Sequence, residues 1–254
     1  MNGLRAFLRK ELQETLHTWR LWVLPGLLVF LGVTSPVITA LTPKIIEFAA
    51  RQSPGTTLSV AQPTAREAYL QFVGNLEQLA LLAIIIAVSG SISGEVRSGT
   101  AALVLTKPIS RPAFVIGKAA TIYALILAST AAGGIVCIGV TAALFGLGPV
   151  GHFVLAVALW LVYALLFVGL MLLLSAEMRS QMAAAAAGIG LFAALAALTA
   201  LPPVRHYQPG GLMDAVSSLV RHGTAVWAWP LLTSVLLAAV ALAAAVVRFN
   251  RREL

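Results

Sequence analysis

Six apolar runs divide the chain, each long enough to cross the ~30 Å hydrocarbon core of a bilayer, which takes ~20 helical residues. They fall at about 21–41, 72–91, 113–145, 153–175, 182–201 and 226–247. Between them lie polar loops at 42–71 and 202–225, a charged segment at 94–112, and the short turns "GLGPVGH" and "SAEMRSQ". Pro, Gly, Ser and Thr mark these connections as loop and short-helix structure. The pattern predicts an all-α polytopic membrane protein in which residues 1–254 form a single transmembrane domain of six helices. Pro25 and Pro36 fall inside the first run, which a membrane helix tolerates because neighbouring groups re-satisfy the freed backbone.

Residues 1–20 obey a different rule. Leu4, Phe7, Leu8, Leu12, Leu16 and Trp19 recur at three- and four-residue steps, while Arg5, Arg9, Lys10, Glu14 and Arg20 occupy the other face. That spacing predicts an amphipathic helix lying in the membrane interface. A secretory signal would pair a basic start with a shorter apolar run than 21–41.

Composition agrees with this picture. The chain is 59% hydrophobic and 10% charged, against about 25% charged for soluble domains. A net charge of +8 would suggest nucleic acid in a soluble protein. Here Lys and Arg sort by side, as they do on the cytoplasmic ends of membrane spans. The side holding residues 1–20 carries twelve of the seventeen basic residues, among them Arg97, Lys107, Arg111, Lys118, Arg179 and Arg248. The other side carries five, Lys44, Arg51, Arg66, Arg205 and Arg221. Both termini and segment 94–112 are therefore predicted to be cytoplasmic and the two long polar loops external, with no nucleic-acid partner.

Little in the spans supports chemistry. Proton relays and ion-coupled carriers need ionisable groups at membrane depth, and Glu77, five residues into the second run, is the one candidate intramembrane acid. It reads equally as an interfacial residue or a helix-start acid. Cys137 lies in "AAGGIVCIG" and reads as a small buried apolar residue. No Cys/His grouping suits a metal. The nearest approach to a phosphate-binding loop is "PAFVIGKAA", where Pro112 stands for the first Gly and Ala119 for the hydroxyl residue after Gly117-Lys118. No catalytic or cofactor-binding residue is expected, and any ATP must be hydrolysed by another subunit. The small residues of "AAGGIVCIG" and "QMAAAAAGIG" allow close helix approach, within the bundle or at a dimer seam.

The charged segment "GEVRSGTAALVLTKPISRPAFVIGK" is more specific. Glu95 and Arg97 sit at the membrane exit; Ser98, Gly99 and Thr100 permit a turn and a helix cap. "TAALVL" is then a two-turn apolar helix containing Leu103 and ended by Lys107-Pro108. Ser110 and Arg111 precede Pro112, a favoured first-turn residue. A cytoplasmic loop with snorkelling basic residues has the same composition. A short apolar helix outside the membrane, however, needs a protein groove to bury it.

At these residues the chain resembles the permease subunits of type-2 ABC exporters. The resemblance is carried by Glu95, Gly99-Thr100, Leu103 to Leu105, Pro108, Ser110-Arg111 and Gly117-Lys118. It extends through the amphipathic start, "PTAREAYLQFVGNLEQLALL", "HYQP" and the ending "FNRREL". It implies a half-transporter of the bacterial plasma membrane, paired with a second permease subunit as a homodimer and with two cytoplasmic ATPases that hold ATP and Mg. Residues 1–20 would be the elbow helix and the segment after the second span the coupling helix, seated in the ATPase. Glu95 would pair with Arg97, and Lys107 and Arg111 would meet acidic residues of the partner. The alternative is a membrane anchor or force-transmitting subunit that passes no substrate.

Overall fold

The computed structural model describes residues 19–51, 62–100 and 110–251, with the side chains of 19–21 and 49–51 left out. The amphipathic helix expected over 1–20 lies outside these residues up to 18, and the apolar helix expected for "TAALVL" lies outside them from 101 onward. Every element described is helical, and six segments are long and apolar enough to span a membrane.

The first span is α1 (Trp19–Arg51), with Pro25, Pro36 and Pro43 inside it. It runs on through residues expected to begin the 42–71 loop. Beyond Pro43 nothing in "KIIEFAAR" breaks a helix, and Ile45 and Phe48 keep an apolar surface. Its hydroxyls turn inward on their own helix: Thr34, Ser35, Thr39 and Thr42 each donate to the carbonyl four residues earlier at 2.6–2.9 Å. A hydroxyl satisfied in this way can lie in hydrocarbon without a water partner.

The second span is built in pieces: α2 (Ala65–Asn75), a π-helical turn (Leu76–Ala80), α3 (Leu81–Ser89), and the short α4 (Ser93–Arg97) after a turn at Gly90. Its start also corrects the 42–71 loop. Thr64 accepts from the Glu67 amide and the Glu67 carboxylate accepts from the Thr64 amide at 2.9 Å. This reciprocal cap begins the helix at Ala65. The remaining elements are α5 (Arg111–Phe145), α6 (Val150–Glu177), α7 (Gln181–Thr199), α8 (Pro202–Arg205), α9 (Gly211–His222) and α10 (Ala228–Arg251). The 202–225 connection holds two of these helices, α8 and α9, in keeping with the short-helix structure expected of it.

Packing centres on α6, whose Trp160, Tyr163, Phe167 and Met171 are buried among α3, α5, α7, α9 and α10. Helix association in lipid depends on close van der Waals contact, because lipid tails are as apolar as leucine. The chain supplies that contact with glycine. On α5, a methyl group at Gly133 would stand 2.5 Å from the Leu28 carbonyl oxygen of α1, and Gly32 abuts the Gly133 backbone. Gly169 lets α10 approach α6, 3.0 Å from a would-be Cβ to the Ala238 oxygen. The "AAGG" cluster therefore serves an internal helix seam, and Cys137 lies buried one turn further on.

Gly133→Leu is expected to separate α1 from α5 and lower the thermal midpoint of the purified protein, at a cost of about 1–3 kcal/mol for overpacking. Gly139, with nothing near it, is the control: Gly139→Leu leaves the midpoint unchanged or raises it. Equal midpoints for the two variants would remove the glycine seam from the account.

Candidate coupling site

One end of the bundle collects the start of α1, the 94–111 connection, the α6–α7 turn and the end of α10, and polar contacts between helices cluster there. α4 is fixed to α6 by Ser175, whose hydroxyl oxygen accepts from the backbone amides of Ile92 and Ser93 at 3.0 Å each and donates to the Ser93 hydroxyl at 3.3 Å. Gln181, at the start of α7, lies against Gly90, where even a methyl group would collide with it.

Glu95 on α4 forms an ion pair with Lys118 on α5. Lys118 is 5% exposed and Glu95 18%. The Lys118 ammonium also lies 5.0 Å from the centre of the Phe114 ring, which stacks on Phe249 of α10 at 5.1 Å. A chain of contacts therefore runs from α4 through α5 to α10. The ion pair replaces the expected Glu95–Arg97 pairing. Residues two apart on a helix point to different faces, and Arg97 is exposed while Glu95 turns inward.

Arg111 is also engaged within the chain. Its Nη1 donates to the carbonyls of Phe249 at 3.3 Å and Asn250 at 2.9 Å. The last carbonyls of a helix have no partner within it and carry partial negative charge, so the guanidinium is drawn onto the end of α10. Ser110 caps α5, accepting from the Ala113 amide at 3.3 Å with Pro112 in the first turn. Ser98 reaches the Thr100 hydroxyl at 2.8 Å. Gly99 adopts φ +74°, a left-handed conformation that turns the chain away from α4. Leu103, Lys107 and Pro108 lie outside the described residues.

Glu77 stands apart, toward the other end of the bundle. All of α2 precedes it, so it is neither a helix-start acid nor a residue at the edge of its helix; it lies within the π-helical turn. The Ser217 hydroxyl of α9 donates to its Oε1 at 3.4 Å. Nearby, Asn75 donates to Ser35 of α1 at 2.9 Å, and Arg66 donates to the Arg221 carbonyl at 2.8 Å. Between α1, α2 and the end of α9 lies an open groove of about 620 Å³ whose lining includes Thr39, Thr42, Gln71, Asn75, Gln78 and Arg221.

Sequence reasoning missed Lys118 as an ion-pair partner, Ser175 and this groove. The 67–71–75–78 spacing of polar residues on one helical face is a visible signal for the groove. For Ser175, no local pattern distinguishes it from any other serine in an apolar helix.

The chain is similar in sequence to known proteins. The family described as ABC-2 family transporter protein matches residues 5–254. A bacterial relative, the uncharacterized transmembrane protein YxlG of Bacillus subtilis (strain 168), is 26% identical over 256 residues, covering 100% of this chain and 99% of its own.

Lys118→Met leaves the Glu95 carboxylate without its ammonium, and loss of one member of a buried pair costs about 3–5 kcal/mol. The thermal midpoint is expected to fall, and the double variant Lys118→Met/Glu95→Gln is expected to recover part of it. A single variant as stable as the wild type, or a double variant less stable than the single, would show that the pair does not hold α4 to α5.

Proposed function

This chain belongs to the ABC-2 transporter family as a membrane permease component, and from that premise we propose that it couples ATP hydrolysis by separate cytoplasmic ATPase subunits to export. In this reading the basic end of the bundle faces the cytoplasm, the N-terminal residues form the elbow helix, and segment 94–112 is the coupling segment. Two copies of the permease and two ATPases make the transporter in the bacterial plasma membrane, and ATP with Mg resides on the ATPases.

The observation that carries the proposal is the linkage of the 94–111 connection to three other spans. Its entry is fixed to α6 through Ser175 and to α5 through Glu95 and Lys118, and at its exit Arg111 holds α10. A push delivered between Arg97 and Ser110 by a docked ATPase would thus reach the second, third, fourth and sixth spans together. A free loop with snorkelling basic residues has no need of a buried ion pair at its base.

The groove favours transport over an anchor that passes nothing. Gln71 and Gln78 are exposed on the face shared by α1 and the second span, and a carboxamide facing lipid tails is costly. A polar surface of this kind suits a wet passage where two permeases meet, whereas a sealed seam would be apolar. Glu77 supports the secondary-transporter reading less well, because it is one acid bonded to a serine with no second ionisable group bonded to it among the described residues.

Leu103→Asp is expected to abolish co-purification of the ATPase while leaving the permease folded at its wild-type thermal midpoint. Arg111→Glu should weaken the same complex, with some loss of permease stability because α10 loses its cap. Retention of the ATPase at wild-type yield and turnover in Leu103→Asp would overturn the docking assignment.

A further inference from the structure

We infer that the groove between α1, α2 and the end of α9 binds the anionic head of an amphiphile, with its tail against the adjoining apolar helix surface. The inference rests on the permease reading for its place in a transport cycle, but its own argument is local.

The groove has a polar lining on spans that are otherwise apolar. Four residues of one α2 face and its continuation, Glu67, Gln71, Asn75 and Gln78, line it together with Thr39 and Thr42 of α1 and Arg221 of α9. Thr39 and Thr42 lie within the apolar stretch Trp22–Phe48, while α2 begins the stretch Ala65–Arg97. The continuous part of that stretch, residues 65–89, would extend roughly 35 Å at about 1.5 Å per residue, more than the ~30 Å hydrocarbon core. Its first turns therefore reach into the interface, and the groove straddles head-group and hydrocarbon depths. A ligand that fills it needs a polar part and an apolar part. The apolar part has a surface to lie on: Ile38 and Leu41 beside the α1 threonines are 48% and 44% exposed, and Leu79 beside Gln78 is 47% exposed.

The sign of the head group depends on which charges are already engaged. Glu67 is turned onto its own helix start, where its carboxylate accepts from the Thr64 amide at 2.9 Å and faces the positive end of the helix dipole. Arg221 is exposed, and among the described residues no acidic side chain pairs with it. A guanidinium presents donors matched to phosphate or carboxylate oxygens, and the amide groups of Gln71, Asn75 and Gln78 add donors beside it. A cationic head would meet Arg221 unfavourably and find Glu67 already engaged.

The test uses the purified full chain in dodecyl maltoside, titrated with dodecyl phosphate and monitored by native mass spectrometry. Dodecyltrimethylammonium and inorganic phosphate serve as comparison probes. Dodecyl phosphate is expected to bind saturably, with Arg221→Gln weakening it about tenfold, the loss of one charge-assisted contact, and Gln78→Leu weakening it less. Arg205→Gln, which removes the surface pair with Asp214 outside the groove, should bind as wild type. Inorganic phosphate alone should bind far more weakly, since it lacks the tail; binding equal to that of dodecyl phosphate would identify a free anion as the ligand and overturn the inference. Equal affinity in wild type and Arg221→Gln, or binding of the ammonium probe as tight as the phosphate, would overturn it too. If the groove fails these tests while Leu103→Asp still releases the ATPase, only this inference falls. If the groove binds as described and the ATPase ignores Leu103→Asp, the fault lies in the coupling assignment.

Discussion

Hydrocarbon offers no hydrogen bonds, and that constraint governs where this protein can put a polar atom. Backbone groups are satisfied within helices, and the α1 hydroxyls are satisfied on the carbonyls of their own helix. Polar side chains that bond between helices must find one another, because nothing else is available at that depth. Among the described residues they gather around Glu95, Lys118 and Ser175 at one end and around Ser35, Asn75, Glu77 and Ser217 toward the other, with the Tyr123 hydroxyl of α5 donating to the Leu161 carbonyl of α6 at 3.1 Å between the two. The apolar helix surface between them is occupied by close packing at Gly32, Gly133 and Gly169.

This division explains how a bundle with few charges can still be stiff where stiffness matters. Van der Waals seams permit sliding at modest cost, whereas a buried ion pair with two amide-to-hydroxyl bonds beside it resists separation, since each broken contact leaves a polar group without water. The basic end therefore holds its helices in fixed relation. The opposite end is held more lightly, by single bonds such as Ser217 to Glu77 at 3.4 Å and Arg66 to the Arg221 carbonyl. Displacement entering at the stiff end would be expressed where the restraints are weakest.

How much of this is legible in the chain depends on the range of the interaction. Six spans are legible because hydropathy is a property of each segment alone. The beginnings of α2 and α5 are written locally as well, in Thr64 with Glu67 and in Ser110 with Pro112. In the 42–71 connection the Pro, Gly, Ser and Thr content masks the first of these caps, and the loop expected there is correspondingly too long. The Glu95–Lys118 pair is not legible: the residues are 23 positions apart, and although the helical period turns Arg97 away from Glu95, nothing in the sequence brings Lys118 to it. The α10 end that captures Arg111 lies 138 positions away. The motif around Glu95 points to the right region while leaving its internal wiring open. Glu77 is visible as an acid, but its setting in a π-helical turn facing α9 depends on how three helices meet.

The π-helical turn at Leu76–Ala80 also sets a rule about length. A π-turn accommodates an added residue in a helix that keeps its α-form on either side. Removing one residue there would restore a regular α-helix with the phases of α2 and α3 nearly unchanged, so that Asn75 would keep Ser35 and Gln71 would keep facing α1. A one-residue deletion within α2 or α3 would instead rotate one half against the other by about 100°, the rotation of one α-helical residue. The second span thus carries its tolerance of length at this turn, and its evolution should admit a one-residue deletion there far more readily than in the regular helix on either side.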